Sequence, residues 1–248
     1  MSVLKRRSNN IKDGQYVIAF SDSRALIDIS KDCGMTWTRR QPSDLPNVNE
    51  YFFSNDRTRI AMSGDGRHIY CSCYMANVGL LRSTDFLETA EPFKPDNCYS
   101  VYSIACNGRG NLVAVVCQNS NNKYDLMLSG DYGKTWTKIT DSSFSARTLA
   151  ISYDGKYMVI EGGYSYSGAR ISADYGKTWA LKHSVIGNSF ALGLSSDGKY
   201  AIAQESSSPY RMFKSSDYLG SFTEINTAPL TSGIRANYRF IIMNKNRL

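Results

Sequence analysis

Carboxylates and arginines on predicted strands are the residues in this sequence that could catalyse a reaction. Glu161 and Glu205 end apolar runs in neighbouring repeats, and Arg59, Arg147 and Arg239 lie in other such runs. A glycosidase that cleaves an anionic sugar would need an arginine cluster for the sugar carboxylate, a tyrosine nucleophile paired with a glutamate, and an acid. The arginines do not occupy equivalent positions in their runs, however. We therefore expect both glutamates to be solvated strand ends and the protein not to be an enzyme.

Cysteine and histidine are the residues that could bind a metal ion. The six cysteines are Cys33, Cys71, Cys73, Cys98, Cys106 and Cys117. Several lie within apolar runs, where a free cysteine behaves as a small hydrophobe, so we expect buried reduced thiols rather than disulfides. A zinc site would need a second cysteine pair or nearby histidines, and the histidines are His68 and His183. We expect no metal and no cofactor.

A second group of residues has the composition of a binding surface. Tyrosine and asparagine recur, among serine and glycine, in the segments that follow the second strand of each predicted repeat. Rigid amphipathic rings among small polar residues are typical of binding surfaces. The candidate binding residues are Tyr74, Asn121, Asn122, Tyr124, Tyr164, Tyr166 and Tyr210. The two longest segments, 118–125 and 161–168, are predicted to form one continuous patch.

Two turn signals that alternate along the chain define these repeats, at a period of roughly 43 to 53 residues. The first is an Asp-Gly dipeptide between two apolar runs, which supplies the positive φ of a tight hairpin. It stands at 13–14, 65–66, 154–155 and 197–198, with Gly108-Arg109-Gly110 in the corresponding place. The strands predicted before the turn are 58–62, 102–106, 147–151 and 190–194, and those after it are 16–20, 68–73, 112–117, 157–160 and 200–203.

The second signal is the motif Ser-x-Asp-x-Gly-x-Thr-Trp, with full copies at 30–37, 129–136 and 172–179 and weaker copies at 83–87 and 215–222. Its aspartate is predicted to accept hydrogen bonds from the turn's own amides, and its glycine to adopt a backbone angle that other residues resist. Its tryptophan is predicted to pack between sheets. These structural residues are Asp32, Gly34, Trp37, Asp131, Gly133, Trp136, Asp174, Gly176, Trp179 and Asp217.

The second motif resembles the Asp-box, or bacterial neuraminidase, repeat. That repeat is found in sialidases, in sortilin-type receptors, in photosystem assembly factors and in other β-propellers, so the resemblance implies a fold element rather than one family. The propellers of sialidases have six blades, whereas this chain has five repeats. A sialidase-like glycoside hydrolase is therefore the least favoured of the functions.

Together the repeats predict an all-β fold, a five-bladed β-propeller of four-stranded blades. One domain is expected over residues 1–248, with residues 1–10 as a flexible basic tail. Because the residues before Asp13 are polar, the C-terminal run 238–243 is predicted to complete the first blade. In such a ring the two kinds of turn share one face, and the tyrosine-rich segments lie on the other.

We expect a non-enzymatic interaction module that binds a protein, as a component of a larger assembly such as a virion or a multi-subunit complex. A lectin-like propeller that binds carbohydrate is the alternative. The N-terminus lacks the apolar stretch of a signal peptide, so we expect no membrane span and a cytoplasmic or virion-associated location.

The net charge of +7 would suit an acidic surface as a further partner. The predicted closure would gather basic residues on the first blade, namely Lys5, Arg6, Arg7, Arg39, Arg40, Arg235, Arg239, Lys245 and Arg247.

Overall fold

A computed structural model describes residues 5–6, 15–21, 26–45, 59–72, 79–93, 95–139, 146–162, 168–182, 189–205 and 211–225. These residues form twenty β-strands in five antiparallel four-stranded sheets, with one 3₁₀ turn at Pro42–Asp44. The predicted all-β class and the five four-stranded sheets are confirmed. The chain divides into two compact units, Met1–Thr140 and Asp141–Leu248. That the whole chain is one domain stays a prediction.

Neighbouring strands in every sheet follow one another in the chain. Sheet 1 contains β1 (Lys5–Arg6), β2 (Val17–Ser21), β3 (Leu26–Ser30) and β4 (Thr38–Arg40). Sheet 2 contains β5 (Arg59–Met62), β6 (Ile69–Ser72), β7 (Leu80–Ser83) and β8 (Glu91–Phe93). Sheet 3 contains β9 (Ser100–Cys106), β10 (Val113–Gln118), β11 (Tyr124–Ser129) and β12 (Thr137–Ile139). In the second unit, sheet 4 contains β13 (Ala146–Ile151), β14 (Met158–Gly162), β15 (Ala169–Ser172) and β16 (Ala180–Lys182). Sheet 5 contains β17 (Ser189–Leu194), β18 (Ala201–Glu205), β19 (Met212–Ser215) and β20 (Thr223–Ile225).

The edge strand β1 comes from the N-terminus rather than from the C-terminus. Lys5 pairs with Phe20 and Arg6 with Ala19. The prediction that the C-terminal run completes this sheet is therefore wrong, and residues 5 and 6 do not belong to a flexible tail. Polar side chains do not prevent this pairing, because a strand ladder joins backbone amides to carbonyls. The run 238–243 lies outside the described residues.

Apolar side chains fill the layers between consecutive sheets within each unit, as the alternation of buried residues along the strands dictates. The layer between sheets 1 and 2 contains Ile18, Ile29, Ile60, Met62 and Ile69. The layer between sheets 2 and 3 contains Ala61, Tyr70, Val101, Ile104 and Val113. The layer between sheets 4 and 5 contains Ala150, Val159, Ile171, Leu194 and Ala201.

The turn between the third and fourth strands of each sheet is closed by its own side chains. In sheet 3, the Ser129 hydroxyl donates to Oδ1 of Asp131 at 2.7 Å and accepts from the Gly133 amide at 2.8 Å. Asp131 in turn accepts from the amide of Thr135 at 2.8 Å and from its hydroxyl at 2.7 Å. Equivalent bonds recur around Asp32, Asp85, Asp174 and Asp217.

These hydrogen bonds favour the charged carboxylate. They lower the pKa of Asp32, Asp174 and Asp217 to about 2, and in each case the largest cause is the hydroxyl four residues further along the chain. The pKa of Asp131 is also lowered, chiefly by the amide of Thr135. The carboxylates of these turns are therefore committed to their own backbone and are not poised for acid catalysis.

The motif tryptophans are held by the same turns. Each indole N–H donates to the carbonyl of the glycine three residues earlier, in the pairs Trp37–Gly34, Trp136–Gly133 and Trp179–Gly176. Trp136 also stacks on Phe93 of sheet 2, with ring centroids 5.9 Å apart. Trp37 is 38% exposed, so the predicted packing between sheets is incomplete in sheet 1.

A repeated contact joins these turns to the preceding sheet, and we call it the turn contact. The residue after the motif aspartate has a φ of 59 to 64° in all five sheets. In sheets 2, 3 and 5 its side chain meets the residue two positions after the Asp-Gly-type glycine of the preceding sheet. The observed pairs, with ring centroids 4.6 to 5.2 Å apart, are Tyr16–Phe86, His68–Tyr132 and Tyr157–Tyr218.

The first residue of each pair also covers the Asp-Gly-type glycine of the following sheet. Tyr16 lies over Gly66, His68 over Gly110 and Tyr157 over Gly198. Backbone hydrogen bonds support the same junction, from Gly64 to the carbonyl of Gly108 at 2.7 Å and from Tyr153 to that of Ser196 at 2.8 Å. Glycine is required at these turns because a β-carbon would strike the covering ring.

We predict that Gly198→Ala destabilises the protein. Gly198 has a φ of +75°, and an added β-carbon would lie 2.4 Å from the Tyr157 ring. The left-handed backbone and the clash together are expected to lower the free energy of unfolding by about 2 kcal/mol or more. Urea denaturation measures the change. Gly130→Ala is the matched control, because a β-carbon there meets nothing within 4 Å; an equal loss in both variants would contradict the role of the turn contact.

We also predict that His68 makes the contact between sheets 2 and 3 sensitive to pH. Its Nδ1 is buried and has no hydrogen-bond partner within the described residues. Burial lowers the pKa of His68 below 6.5, with Asp65 opposing and Arg67 reinforcing the shift. Between the lowered pKa of the folded protein and the ordinary value of 6.5, the unfolded chain therefore binds more protons than the folded protein. Stability falls as the pH drops below 6.5.

The variant His68→Tyr tests this prediction, since Tyr16 and Tyr157 occupy the equivalent positions in sheets 1 and 4. Urea midpoints are compared at about pH 7.5 and about pH 5.5, on either side of the ordinary histidine pKa. We expect the native protein to lose more stability than the variant over this interval. Equal losses would show that His68 does not carry the dependence.

Candidate binding site

The structure describes three of the seven predicted binding residues, and all three lie at one end of sheet 3. Asn121 and Asn122 belong to the turn between β10 and β11, and Tyr124 begins β11. The other four, Tyr74, Tyr164, Tyr166 and Tyr210, lie outside the described residues. That segments 118–125 and 161–168 form one continuous patch stays a prediction.

The turn itself is shorter than the predicted segment 118–125, because Gln118 pairs with Tyr124 in the ladder. The side chain of Asn119 accepts from the amides of Asn121 at 2.9 Å and Lys123 at 3.1 Å. Asn122 has a φ of 59°, which asparagine tolerates better than most residues. A fixed turn therefore presents the exposed side chains of Asn121 and Asn122 beside the end of the sheet.

A β-bulge builds the aromatic part of this surface. The register of β9 against β10 shifts between Val116 and Cys117, which leaves Tyr102 without an opposite residue. Its carbonyl instead accepts a hydrogen bond from Nε of Arg59 in sheet 2, at 2.9 Å. Bulges redirect a side chain, and here Tyr102 lies against Tyr124. Equivalent register shifts occur in sheets 4 and 5, so the bulge belongs to the repeat and the tyrosine is particular to sheet 3.

Three tyrosines lie at this end of sheet 3. The rings of Tyr102 and Tyr124 are nearly perpendicular, with centroids 5.0 Å apart. Tyr99 is 46% exposed, and its amide donates to the carbonyl of Gln118 at 2.8 Å. We call Tyr99, Tyr102, Tyr124, Asn121 and Asn122 the tyrosine surface. Sequence reasoning missed Tyr99 and Tyr102, because both stood within or beside a predicted strand and nothing in the sequence marked the bulge.

Some polar side chains at this end of sheet 3 already form hydrogen bonds within the protein, and others do not. The Gln118 side chain accepts from the Tyr102 hydroxyl at 3.4 Å and donates to the carbonyl of Asn122 at 3.4 Å. Within the described part of the chain, the side-chain amides of Asn121 and Asn122 and the hydroxyl of Tyr124 hold no hydrogen bond. They are the groups that can donate to, or accept from, a ligand.

The residues expected for hydrolysis are arranged differently from the prediction. Glu161 is buried rather than solvated, so that expectation is wrong. It follows Val159 by two residues on β14 and shares its face, which packs on Leu194 and Ala201 of sheet 5. Glu205 and Arg147 lie in β18 and β13, but the structure does not describe their side chains, and Arg239 lies outside the described residues.

The basic residues of sheet 1 do not gather in one place. Lys5 and Arg6 form one edge strand, whereas Arg39 and Arg40 lie on β4 at the opposite edge. Asp28 accepts two hydrogen bonds from Arg39, at 2.8 and 3.2 Å, and Arg40 pairs with Glu88 of sheet 2. The predicted patch is therefore divided and partly neutralised. Its remaining members, Arg7, Arg235, Arg239, Lys245 and Arg247, lie outside the described residues.

Comparison with solved structures shows a β-propeller fold at low sequence identity. A GH74 enzyme from Niastella koreensis matches 89% of this chain with a TM-score of 0.61 and 15% identity, and a putative TolB from Agrobacterium tumefaciens matches 87% with 0.63 and 13%. U3-55K matches 86% with a TM-score of 0.62 and 10% identity. The chain covers 38% of the GH74 enzyme, 78% of the TolB protein and 62% of U3-55K.

No protein-family model matches the chain, and no curated protein matches its sequence. Structural similarity at 10 to 15% sequence identity supports the assignment of the fold but not of a function. Among the described residues, no helix is long and apolar enough to cross a membrane. The function has to be argued from the site itself.

Proposed function

We propose that this protein is a non-enzymatic binding module whose tyrosine surface binds a protein partner, as a component of a larger assembly. One observation carries the proposal. At one end of sheet 3 three tyrosines lie beside uncommitted amides on a fixed turn, whereas at the other end the polar side chains of the Asp131 turn bond to their own backbone. Binding capacity is therefore concentrated at a single end.

The composition of the surface favours a protein as the partner. Tyrosines dominate the energetics of protein interfaces because a rigid ring buries a large area at a small entropic cost. The only buried carboxylate near the turn within the described residues, Asp125, forms an ion pair with Lys138 at 2.8 Å and accepts a hydrogen bond from the Asn119 side chain at 3.0 Å. Apart from the exposed Lys123 of the turn, recognition would therefore depend on ring contacts and neutral hydrogen bonds.

A glycan is the second candidate, and the same neutrality favours it. A tyrosine ring beside two side-chain amides offers an apolar face together with donors and acceptors for hydroxyl groups. Hydrolysis is less well supported, because the Glu161 side chain is buried and Nε of Arg59 is bonded to a backbone carbonyl. We propose that neither residue takes part in catalysis.

We further infer that the turns are Asp-box repeats and that the five sheets close into a five-bladed ring. Three turn contacts occur within the two units, and a ring of five requires two more. The equivalent positions assign them to Leu112 against Tyr175 and to Tyr200 against Cys33. In that ring the tyrosine surface would lie on the face opposite the Asp-box turns.

We predict that Tyr99→Ala/Tyr124→Ala abolishes partner capture. Tagged protein serves as bait in an extract of the source cells, and captured proteins are quantified by mass spectrometry. Loss of two central aromatic residues is expected to reduce the specific partner at least about tenfold, since an aromatic hot spot contributes about 2 kcal/mol. Met35→Ala is the control, because Met35 is 83% exposed, lies on an Asp-box turn and, within the described residues, takes part in no turn contact.

A partner retained equally by both variants would contradict the proposed surface. The same proteins are titrated with neutral and sialylated oligosaccharides. Binding of a sugar that is lost only in Tyr99→Ala/Tyr124→Ala would favour the glycan over the protein partner. Release of sugar by the native protein, lost in Glu161→Gln, would contradict the non-enzymatic proposal.

A further inference from the structure

Two cysteines lie directly beneath the tyrosine surface. Cys98 precedes Tyr99 and Cys117 precedes Gln118 in the chain. Both thiols are free and buried in the same core cluster between sheets 2 and 3, and Cys98 is close enough to Cys117 to perturb the pKa of its thiol. The backbone bond of 2.8 Å from the amide of Tyr99 to the carbonyl of Gln118 fastens the two segments beside each other. The thiols are therefore held together by the same contact that positions Tyr99.

The repeat architecture does not account for this pair. Cys117 is the fifth residue of its strand counted from Val113, which pairs with the motif serine Ser129. The equivalent positions of the other sheets hold Ser21, Cys73, Gly162 and Glu205. Cys98 lies in the connection that leads into β9. It ends a turn in which the Cys98 amide donates to the carbonyl of Pro95 at 3.3 Å. Neither position needs a thiol to build a four-stranded sheet.

We propose that Cys98 and Cys117 form a dithiol site that a peroxide oxidises to an intramolecular disulfide, which fastens the Tyr99 segment to β10. Two S–H bonds and the peroxide O–O bond break, one S–S bond forms, and the two hydrogens leave in water. The role of this site in regulating the tyrosine surface rests on the proposed function. The formation of the disulfide and its effect on the Tyr99 segment do not depend on that function.

The surroundings of the pair determine how fast it reacts. The contact with Cys98, and after it burial, raise the pKa of the Cys117 thiol, and the protonated thiol is unreactive because the thiolate is the nucleophile. Oxidation therefore requires a local opening of the segment that carries Tyr99. Once formed, the disulfide restricts that opening, so the oxidised surface is more rigid than the reduced one.

Oxidation of the purified full chain tests the site. The variant Cys33→Ser/Cys73→Ser removes the exposed thiol and the one outside the described residues, and hydrogen peroxide is the oxidant. We expect the mass to fall by two hydrogens, with the tryptic peptides that contain residues 98 and 117 joined. We also expect exchange of the Tyr99 amide hydrogen to slow by about tenfold or more, because its opening is now restrained.

Cys98→Ser in the same background is the control, and it should show neither the link nor the slower exchange. Oxygen added to separate thiols without a link would overturn the proposal, and so would a link that leaves Tyr99 exchange unchanged. The proposed function is judged separately, by partner capture with the reduced protein. A disulfide with slowed exchange in a protein whose capture does not depend on Tyr99 and Tyr124 would support the dithiol site and refute the binding surface.

Discussion

The hydrogen-bonded aspartate turn is the constraint on which the rest of the structure depends. Its carboxylate accepts from an amide and a hydroxyl four residues ahead, as Asp131 does from Thr135, and the residue after it is held at a positive φ. That conformation directs one side chain onto the preceding sheet, as in Tyr218 on Tyr157. One local turn therefore also determines how consecutive sheets join, and the Asp-Gly glycine beneath the covering ring completes the junction.

The two ends of a sheet differ in how many side-chain groups remain able to bind a ligand. At the turn end the carboxylates and serine hydroxyls are saturated by their own backbone, and their lowered pKa values follow from that saturation. At the other end of sheet 3 the register shift at Tyr102 recurs at the equivalent positions of sheets 4 and 5, but the extra residue there is Arg147 or Phe190 rather than tyrosine. The surface of sheet 3 therefore differs through the side chains at its bulge and on its five-residue turn. Function can vary at this end without disturbing the junctions between sheets.

Sequence alone predicted the features that local chemistry determines. Asp-Gly and Ser-x-Asp signals located the hairpins, so the strands predicted at 102–106 and 112–117 correspond closely to β9 and β10. Prediction from sequence failed where the structure depends on contacts between segments that are distant in the chain. The strand Lys5–Arg6 carries no apolar pattern, the Tyr102 bulge depends on strand register, and the burial of Glu161 depends on tertiary packing that its local sequence does not show.

The most direct test of this account asks whether the turn contact repeats between sheets 5 and 1. Tyr200→Cys in a Cys73→Ser background supplies a thiol for cross-linking to the exposed Cys33 by a short bis-maleimide, while Cys71, Cys98, Cys106 and Cys117 are buried. Gly130→Cys, on the sheet 3 turn, is the control. Ring closure predicts an intramolecular link in monomeric protein for Tyr200→Cys and none for the control. Modification of both thiols without a link, or equal linking in the two variants, would contradict it.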